Sequence, residues 1–504
     1  MAKSALDKDL EKVAQLKKAA QSTGRSFAVP GLAIVFLLGA MVLGALSFGS
    51  GPLSYLVILA SLIAGYMALN VGANDVANNM GPAVGSRALT LAGALAIAAV
   101  CEAAGAIIAG GNVVGTISHN LVNPGTVLDA KNFILVMMSS FLAAGIWTHL
   151  ANFLGAPVST THAIVGGVVG AAVISAGVSA VHWSVLGAIV ASWVISPALG
   201  GGIAALLLAL IDRLIVERAD KAAAARRFVP LLVGLMASVF AMYLMTEGLK
   251  RIWHPGFAGV LAAGVGFFLI GWAVSRPWVA ARSQDVAMNG KSVNRLFVPP
   301  LIFATALLSF AHGANDVANA VGPLAAIVDA ASAGSGPSDT VALPLWVLVI
   351  GGLGIAVGLA LFGPRVIRTV GEKITRMNEI RAFCVALSAA ITVLVASAFG
   401  LPVSSTHIAV GAIFGVGFLR EFKTNRGIPN PAVQPRSTFL KTSHLNRTPR
   451  EAVENFQKRE RRRLVRRRQV LGIVAAWLVT VPAAALLSAV FCVMMSLAVA
   501  VTLA

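Results

Sequence analysis

Two seven-residue segments of this 504-residue chain carry the same unusual chemistry. Gly72-Ala73-Asn74-Asp75-Val76-Ala77-Asn78 recurs as Gly313-Ala314-Asn315-Asp316-Val317-Ala318-Asn319, and each copy is followed by Gly-Pro, at Gly81-Pro82 and Gly322-Pro323. One carboxylate and two carboxamides at i, i+1 and i+4, set in otherwise apolar sequence, offer a charge and neutral carbonyl oxygens together. That is the donor set of a hard cation. The neighbouring glycines and proline predict a helix that opens at the motif and adds backbone carbonyls to the set. In a membrane span such a carboxylate costs at least about 2.5 kcal/mol, so a compensating partner is expected for Asp75 and for Asp316. Asp75, Asn78, Asp316 and Asn319 are therefore the candidate coupling-ion residues.

A second pair of segments points to the opposite charge. Pro157-Val158-Ser159-Thr160-Thr161-His162 recurs as Pro402-Val403-Ser404-Ser405-Thr406-His407. A hydroxyl triplet just after a proline marks a helix start, where unpaired backbone N–H groups and the positive dipole end favour an anion. Ser159, Thr160, Thr161, Ser404, Ser405 and Thr406, with the carboxamides Asn74 and Asn315, are the candidate substrate-binding residues. Taken singly, a Ser or Asn in a membrane helix is more often glue between helices; duplication of the whole cluster shifts the balance toward a site. Glu102 is a further intramembrane carboxylate and joins the coupling-ion candidates, although no second-half counterpart is visible in the sequence. His162 and His407 are either proton carriers or donors to backbone carbonyls that orient the helix starts. His119, His149 and His312 receive less weight.

The elements that must position these groups are helices in a bilayer. Hydrophobic residues make up 57% of the chain and charged residues 12%, with a mean hydropathy of +0.84, more apolar surface than a soluble protein of this length can bury. Thirteen apolar runs predict an all-α integral membrane protein with about 12–13 spans. The runs near 158–177 and 402–419 follow their predecessors after very short turns and are either spans or re-entrant pieces. The N-terminal segment resembles a short amphipathic helix without a signal-peptide pattern. The last run is long enough to cross once or to turn back. Cys101, Cys384 and Cys492 have no paired spacing, which argues against disulfides and zinc and for packing.

The net charge of +19 is segregated into short stretches, 1–26, 212–227, 276–295, 365–381 and 420–468. One crossing per run, starting from a cytoplasmic N-terminus, puts all of these on the cytoplasmic side, as a positive-inside bias requires. The basic run Arg461–Arg468 directly before an apolar segment suits anionic lipids rather than nucleic acid. The same crossing count runs the two GANDVAN copies in opposite directions. A weaker match of Ser192-Trp193-Val194-Ile195-Ser196-Pro197 to Ala476-Trp477-Leu478-Val479-Thr480, with Pro482 one residue late, extends the repeat. The expected architecture is two inverted-topology repeats with broken or re-entrant helices meeting at a midplane site. Its segments are 1–29 (cytoplasmic), 30–52 (an extra span), 53–211 (repeat 1), 212–297 (basic loops with two inserted spans), 298–419 (repeat 2, first part), 420–468 (a basic loop) and 469–504 (completing repeat 2).

The doubled GANDVAN and the doubled PVS(S/T)TH resemble the inorganic phosphate transporter (PiT) family over roughly 53–211 and 298–491. The resemblance implies uptake of inorganic phosphate coupled to sodium or protons, or, in some bacterial members, as a neutral metal phosphate. It places the ion and phosphate site at Asn74, Asp75, Asn78, Asn315, Asp316, Asn319 and the hydroxyls, with Glu102 where many relatives have a glutamate. Many members also carry a glutamate where this chain has Ala386, and the span at 30–48 departs from those relatives whose first GANDVAN lies in the first helix. The resulting expectation is a secondary transporter in the cell (inner) membrane importing phosphate by cation symport; the alternative is a permease for sulfate or another tetrahedral oxyanion. A membrane enzyme or a channel would need a nucleophile with a paired base or a ring-like pore motif, and neither is present. No cofactor is expected, and no metal beyond the coupling cation. The expected partners are phosphate, the cation, anionic lipids and a second copy of the chain as a homodimer.

Overall fold

The computed structural model describes residues 5–122, 130–155, 158–249, 253, 255–283, 290–333, 343–374, 377–425 and 467–503. Each of the thirteen apolar runs is a helix, and among the described residues there is no strand beyond a lone bridge between Val122 and Val181. Among the described residues, eleven helices are long and apolar enough to cross a membrane. The two that are not in that set are the expected ones, Thr160–Ala176 and Ser405–Asn425, which start at the hydroxyl motifs. The last helix, Arg467–Leu503, is continuous and does not turn back. Residues 426–466, the bulk of the basic loop, lie outside the described residues.

The helices sort into a shielded centre and a lipid-facing rim. The span windows of Ser54–Gly85, Val298–Ala333 and Glu379–Ala398 are 78%, 83% and 83% buried, whereas that of the inserted helix Phe257–Arg282 is 11% buried. Large side chains such as Phe257, Val274 and Leu269 cover that rim helix, an apolar exposure that lipid satisfies. The central helices are made of small residues instead, and the reason is close packing.

The expected opening of the motif helices does not occur. Ser54–Gly85 and Val298–Ala333 run unbroken through both motifs, with Pro82 and Pro323 inside them. The motif glycines allow neighbouring backbone to approach: a side chain at Gly72 would collide with the Ile355 carbonyl, and one at Gly313 with the Glu102 carbonyl. The partners return the contact through Gly358 on Leu69 and Gly105 on Phe310. Each motif helix thus packs on the helix that follows the other motif, Leu345–Ile374 in one case and Leu91–Ala109 in the other. The hydroxyl helices obey the same exchange. Gly166 and Gly170 of the first lie on Val481 and Ala485, and Gly411 and Gly415 of the second lie on Pro197 and Gly201. The two halves are interlocked, and neither surrounds its own motifs alone.

The hydroxyl helices also begin alike. The chain leaves Ala130–Leu154 through Gly155 at φ +67° and leaves Glu379–Ala398 through Gly400 at φ +66°, a left-handed conformation that glycine adopts without strain. Ser159 Oγ then accepts from the His162 N–H at 3.2 Å, and Ser404 Oγ accepts from the His407 N–H at 3.3 Å, capping both helices.

Candidate binding site at the centre of the bundle

The turns and caps deliver Thr160, Thr161, Ser405 and Thr406 to the middle of the two motif helices, where all four are buried. The expected separation of a cation set from an anion set is absent; the carboxylates and hydroxyls are bonded to each other. Thr160 donates to Asp75 Oδ2 at 3.1 Å, and its counterpart Ser405 donates to Asp316 Oδ2 at 3.0 Å. Asn78 donates to Thr406 at 2.8 Å, and its counterpart Asn319 donates to Thr161 at 3.0 Å. These last two bonds cross from one half to the other. Thr406 also donates to Asp75 Oδ1 at 3.0 Å, and Thr161 to the Val403 carbonyl at 3.0 Å.

The first carboxamide of each motif secures the turn before a hydroxyl helix. Asn74 donates to the Val158 carbonyl at 2.8 Å and to Asp75 Oδ1 at 2.9 Å. Asn315 donates to Ser397 Oγ at 3.0 Å and to the Leu401 carbonyl at 3.1 Å, and it accepts from the Val403 N–H at 3.2 Å. Asn74 and Asn315 therefore hold the starts of the two hydroxyl helices in place. Ser159 and Ser404 are engaged as caps, one turn behind the hydroxyls that reach the carboxylates.

One residue given little weight from the sequence stands at the centre. His312 Nε2 lies 2.7 Å from Asp316 Oδ2 and 3.8 Å from Asp75 Oδ2, and Nδ1 lies 3.3 Å from Glu102 Oε2. Asp75, His312 and Asp316 each offer a ligand atom within 4.8 Å of the others. An imidazole flanked by carboxylates on both nitrogens suits a proton or cation shared among acidic groups. Its spacing, four residues before Asp316 on an apolar helix, was the signal that could have found it. Glu102 is fixed by Asn79 as well, which donates to Oε1 at 2.8 Å. The counterpart that the sequence hid is set by packing register. Gly313 sits on Glu102 as Gly72 sits on Ile355, so the counterpart of Glu102 is Ile355. Buried acceptors remain without a hydrogen-bond donor at Asp316 Oδ1, Asn319 Oδ1 and Asn79 Oδ1, the kind of oxygen that a cation satisfies.

The motif histidines each face backbone of the other half, His162 at Trp477 and His407 at Trp193, short of full hydrogen-bond geometry. Both rings of His162 and His407 lack a hydrogen-bond partner, and they meet edge to face at 4.5 Å between centroids. His162 stacks on Trp193 at 3.8 Å and His407 on Trp477 at 3.4 Å, the two tryptophans of the weak third repeat. His149 is exposed on the rim beside Tyr66, and the side chain of His119 lies outside the described residues. Ala386 is fully buried.

Comparison with known proteins places the chain among relatives. Residues 71–488 match the model of a family described as the phosphate transporter family. A Helicobacter pylori protein with the provisional name phosphate permease is 44% identical over 95% of this chain and 97% of its own length. A Thermococcus kodakarensis protein with the same provisional name is 39% identical over 73% of this chain and 89% of its own. A solved structure described as the sodium-dependent phosphate transporter superposes with a TM-score of 0.75 at 33% identity, over 88% of this chain and 99% of the other.

Proposed function

The chain belongs to the phosphate transporter family, as a multi-pass membrane protein and not an enzyme, and from that premise we propose that it imports inorganic phosphate by cation symport. The observation that supports this reading is the single buried network in which Asp75, Asp316, Glu102 and His312 share space with the hydroxyl helix starts. Three carboxyl groups crowd one imidazole in that network. An oxyanion cannot join that network alone, because uncompensated buried charge is too costly. Cations that settle on Asp75, Asp316, Asn78 and Asn319 remove the obstacle and free Thr160, Thr161, Ser405 and Thr406 to donate to the anion. Coupling is then a consequence of electrostatics: each uncompensated charge moved against the membrane potential costs about 2.3 kcal/mol per 100 mV.

Phosphate suits the centre better than sulfate. Near neutral pH phosphate carries a proton to donate, and a site with acceptor carboxylates rejects an analogue lacking that donor. The reciprocal packing of the halves supports an inverted repeat, with each half contributing to both access routes. The name of the superposed structure makes sodium the first coupling ion to test. The basic stretches support a cytoplasmic N-terminus in the cell membrane and contacts with anionic lipids along those stretches. The test is uptake of labelled phosphate into proteoliposomes, with sulfate and arsenate as competitors. Competition by arsenate and not by sulfate is expected; equal competition by sulfate overturns the phosphate assignment.

A further inference from the structure

The first motif carries one polar residue more than the second. Asn79 directly follows Asn78, whereas Ala320 stands in the matching place after Asn319. Both are buried, so an alanine fills this position in the second half and packing alone does not call for an asparagine in the first. Asparagine costs more to bury than alanine, and Asn79 Oδ1 has no hydrogen-bond partner to offset that cost. Its amide nitrogen does have one: Nδ2 donates to Glu102 Oε1 at 2.8 Å, reaching from Ser54–Gly85 across to Leu91–Ala109. Gly313 packs on the Glu102 carbonyl and fixes the backbone there, but the carboxylate sits at the end of a flexible stem. Asn79 holds it at Oε1, and Oε2 lies 3.3 Å from His312 Nδ1. The imidazole in turn presents Nε2 to Asp316 at 2.7 Å and to Asp75 at 3.8 Å.

We propose that Asn79 is a positioning residue for the coupling cation: it holds the Glu102 carboxylate against His312, so that the ring keeps Nε2 on Asp316 and Asp75. A group behind a ligand orients it, and losing that group weakens cation binding although it touches no cation itself. An amide suits the task, because it donates to a carboxylate without adding a charge that competes with the cation. The arrangement is one-sided. The counterpart of Glu102 is Ile355 and that of His312 is Val71, so a polar group at position 320 would have nothing to hold. The mismatch between Asn79 and Ala320 in otherwise matched motifs follows from that. This inference rests on the symport reading above.

The test is initial phosphate uptake by the full chain in proteoliposomes, measured against external sodium at fixed pH and against external pH without sodium. In Asn79→Ala, the half-saturating concentration of the cation that drives wild-type uptake rises about tenfold, the scale for losing a partner behind a ligand. The KM for phosphate and the maximal rate at saturating cation stay within about twofold of wild type. Asn79→Leu, close to asparagine in shape, gives the same rise, which separates the lost donor from lost packing. In a Glu102→Gln background, Asn79→Ala moves the half-saturating concentration by less than about twofold, because the charge it positions is gone. An unchanged cation curve in either single variant overturns the positioning role, as does a fall in maximal rate alone, which makes Asn79 glue between helices. An equal shift in the Glu102→Gln background also overturns it, by showing that Asn79 acts without the carboxylate. All three results leave symport standing. A wild type whose uptake responds to neither sodium nor protons overturns symport, and the positioning role with it.

Discussion

The two sides of the central network are alike in one layer and different in the next. The hydroxyl layer is duplicated in its main bonds, with Thr160 on Asp75 matching Ser405 on Asp316 and Asn78 on Thr406 matching Asn319 on Thr161, although Thr406 also donates to Asp75 where Thr161 donates to the Val403 carbonyl. Behind Asp316 lies the polar group His312, Glu102 and Asn79. The packing register puts Val71, Ile355 and Ala320 in the corresponding places on the other side. A tetrahedral anion gains from donors on both sides, so selection for binding keeps both copies of the hydroxyls. Charge compensation needs only one titratable group, and an additional buried charge on the other side would cost several kcal/mol without a partner. Duplication thus holds for the motif carboxylates and their hydroxyl bonds, and lapses at His312, Glu102 and Asn79.

Four tests probe this comparison, in descending order of effect. Asp75→Asn and Asp316→Asn, which sit in the duplicated layer, are each expected to lower labelled phosphate uptake at least about a hundredfold with insertion unchanged, on the scale of losing one buried charge-assisted partner. Wild-type uptake in either variant breaks the proposed site. The asymmetric layer comes next. Glu102→Gln is expected to reduce uptake about 10- to 100-fold, comparable to losing a partner that orients a charged group, while Ile355→Leu at the counterpart stays within about twofold. Equal losses at the two positions would erase the asymmetry.

The third test returns to the hydroxyls. Thr161→Val and Thr406→Val each remove a bond that crosses between halves, and each is expected to raise the KM for phosphate about tenfold, the value of one hydrogen bond to a charged ligand. A change in one and not the other would show that the anion leans on a single half. The smallest effect is expected at the stacked histidines. His162→Phe keeps the ring contact with Trp193 and His407 and removes nitrogens that have no hydrogen-bond partner. Uptake within about threefold of wild type, with an unchanged pH profile, is expected; a tenfold loss with a shifted pH profile would restore a proton-carrying role.

Helices and motifs were legible in the sequence because apolar length and exact repetition are local signals. All thirteen apolar runs are helices, and the duplicated residues meet at one centre. What was not legible depends on which backbone lies against which glycine. Gly72 and Gly313 pointed to helix opening, yet they admit the carbonyls of Ile355 and Glu102. Without that register, Glu102 had no counterpart. His312 looked like any lone histidine on an apolar helix until Leu91–Ala109 brought Glu102 to its other nitrogen. The motif histidines were expected to meet carbonyls, and the backbone they face belongs to the tryptophan helices of the opposite halves, Trp477 for His162 and Trp193 for His407, a pairing no local signal shows. Composition and repetition reveal which residues are special; their roles follow from non-local contacts.

The central claim, that phosphate crosses this network only with cations, is tested most directly by accumulation in sealed proteoliposomes. An imposed inward sodium or proton gradient should concentrate labelled phosphate inside above the external level, and collapsing that gradient with an ionophore should release the excess. Phosphate that merely equilibrates, whichever gradient is imposed, would contradict the account.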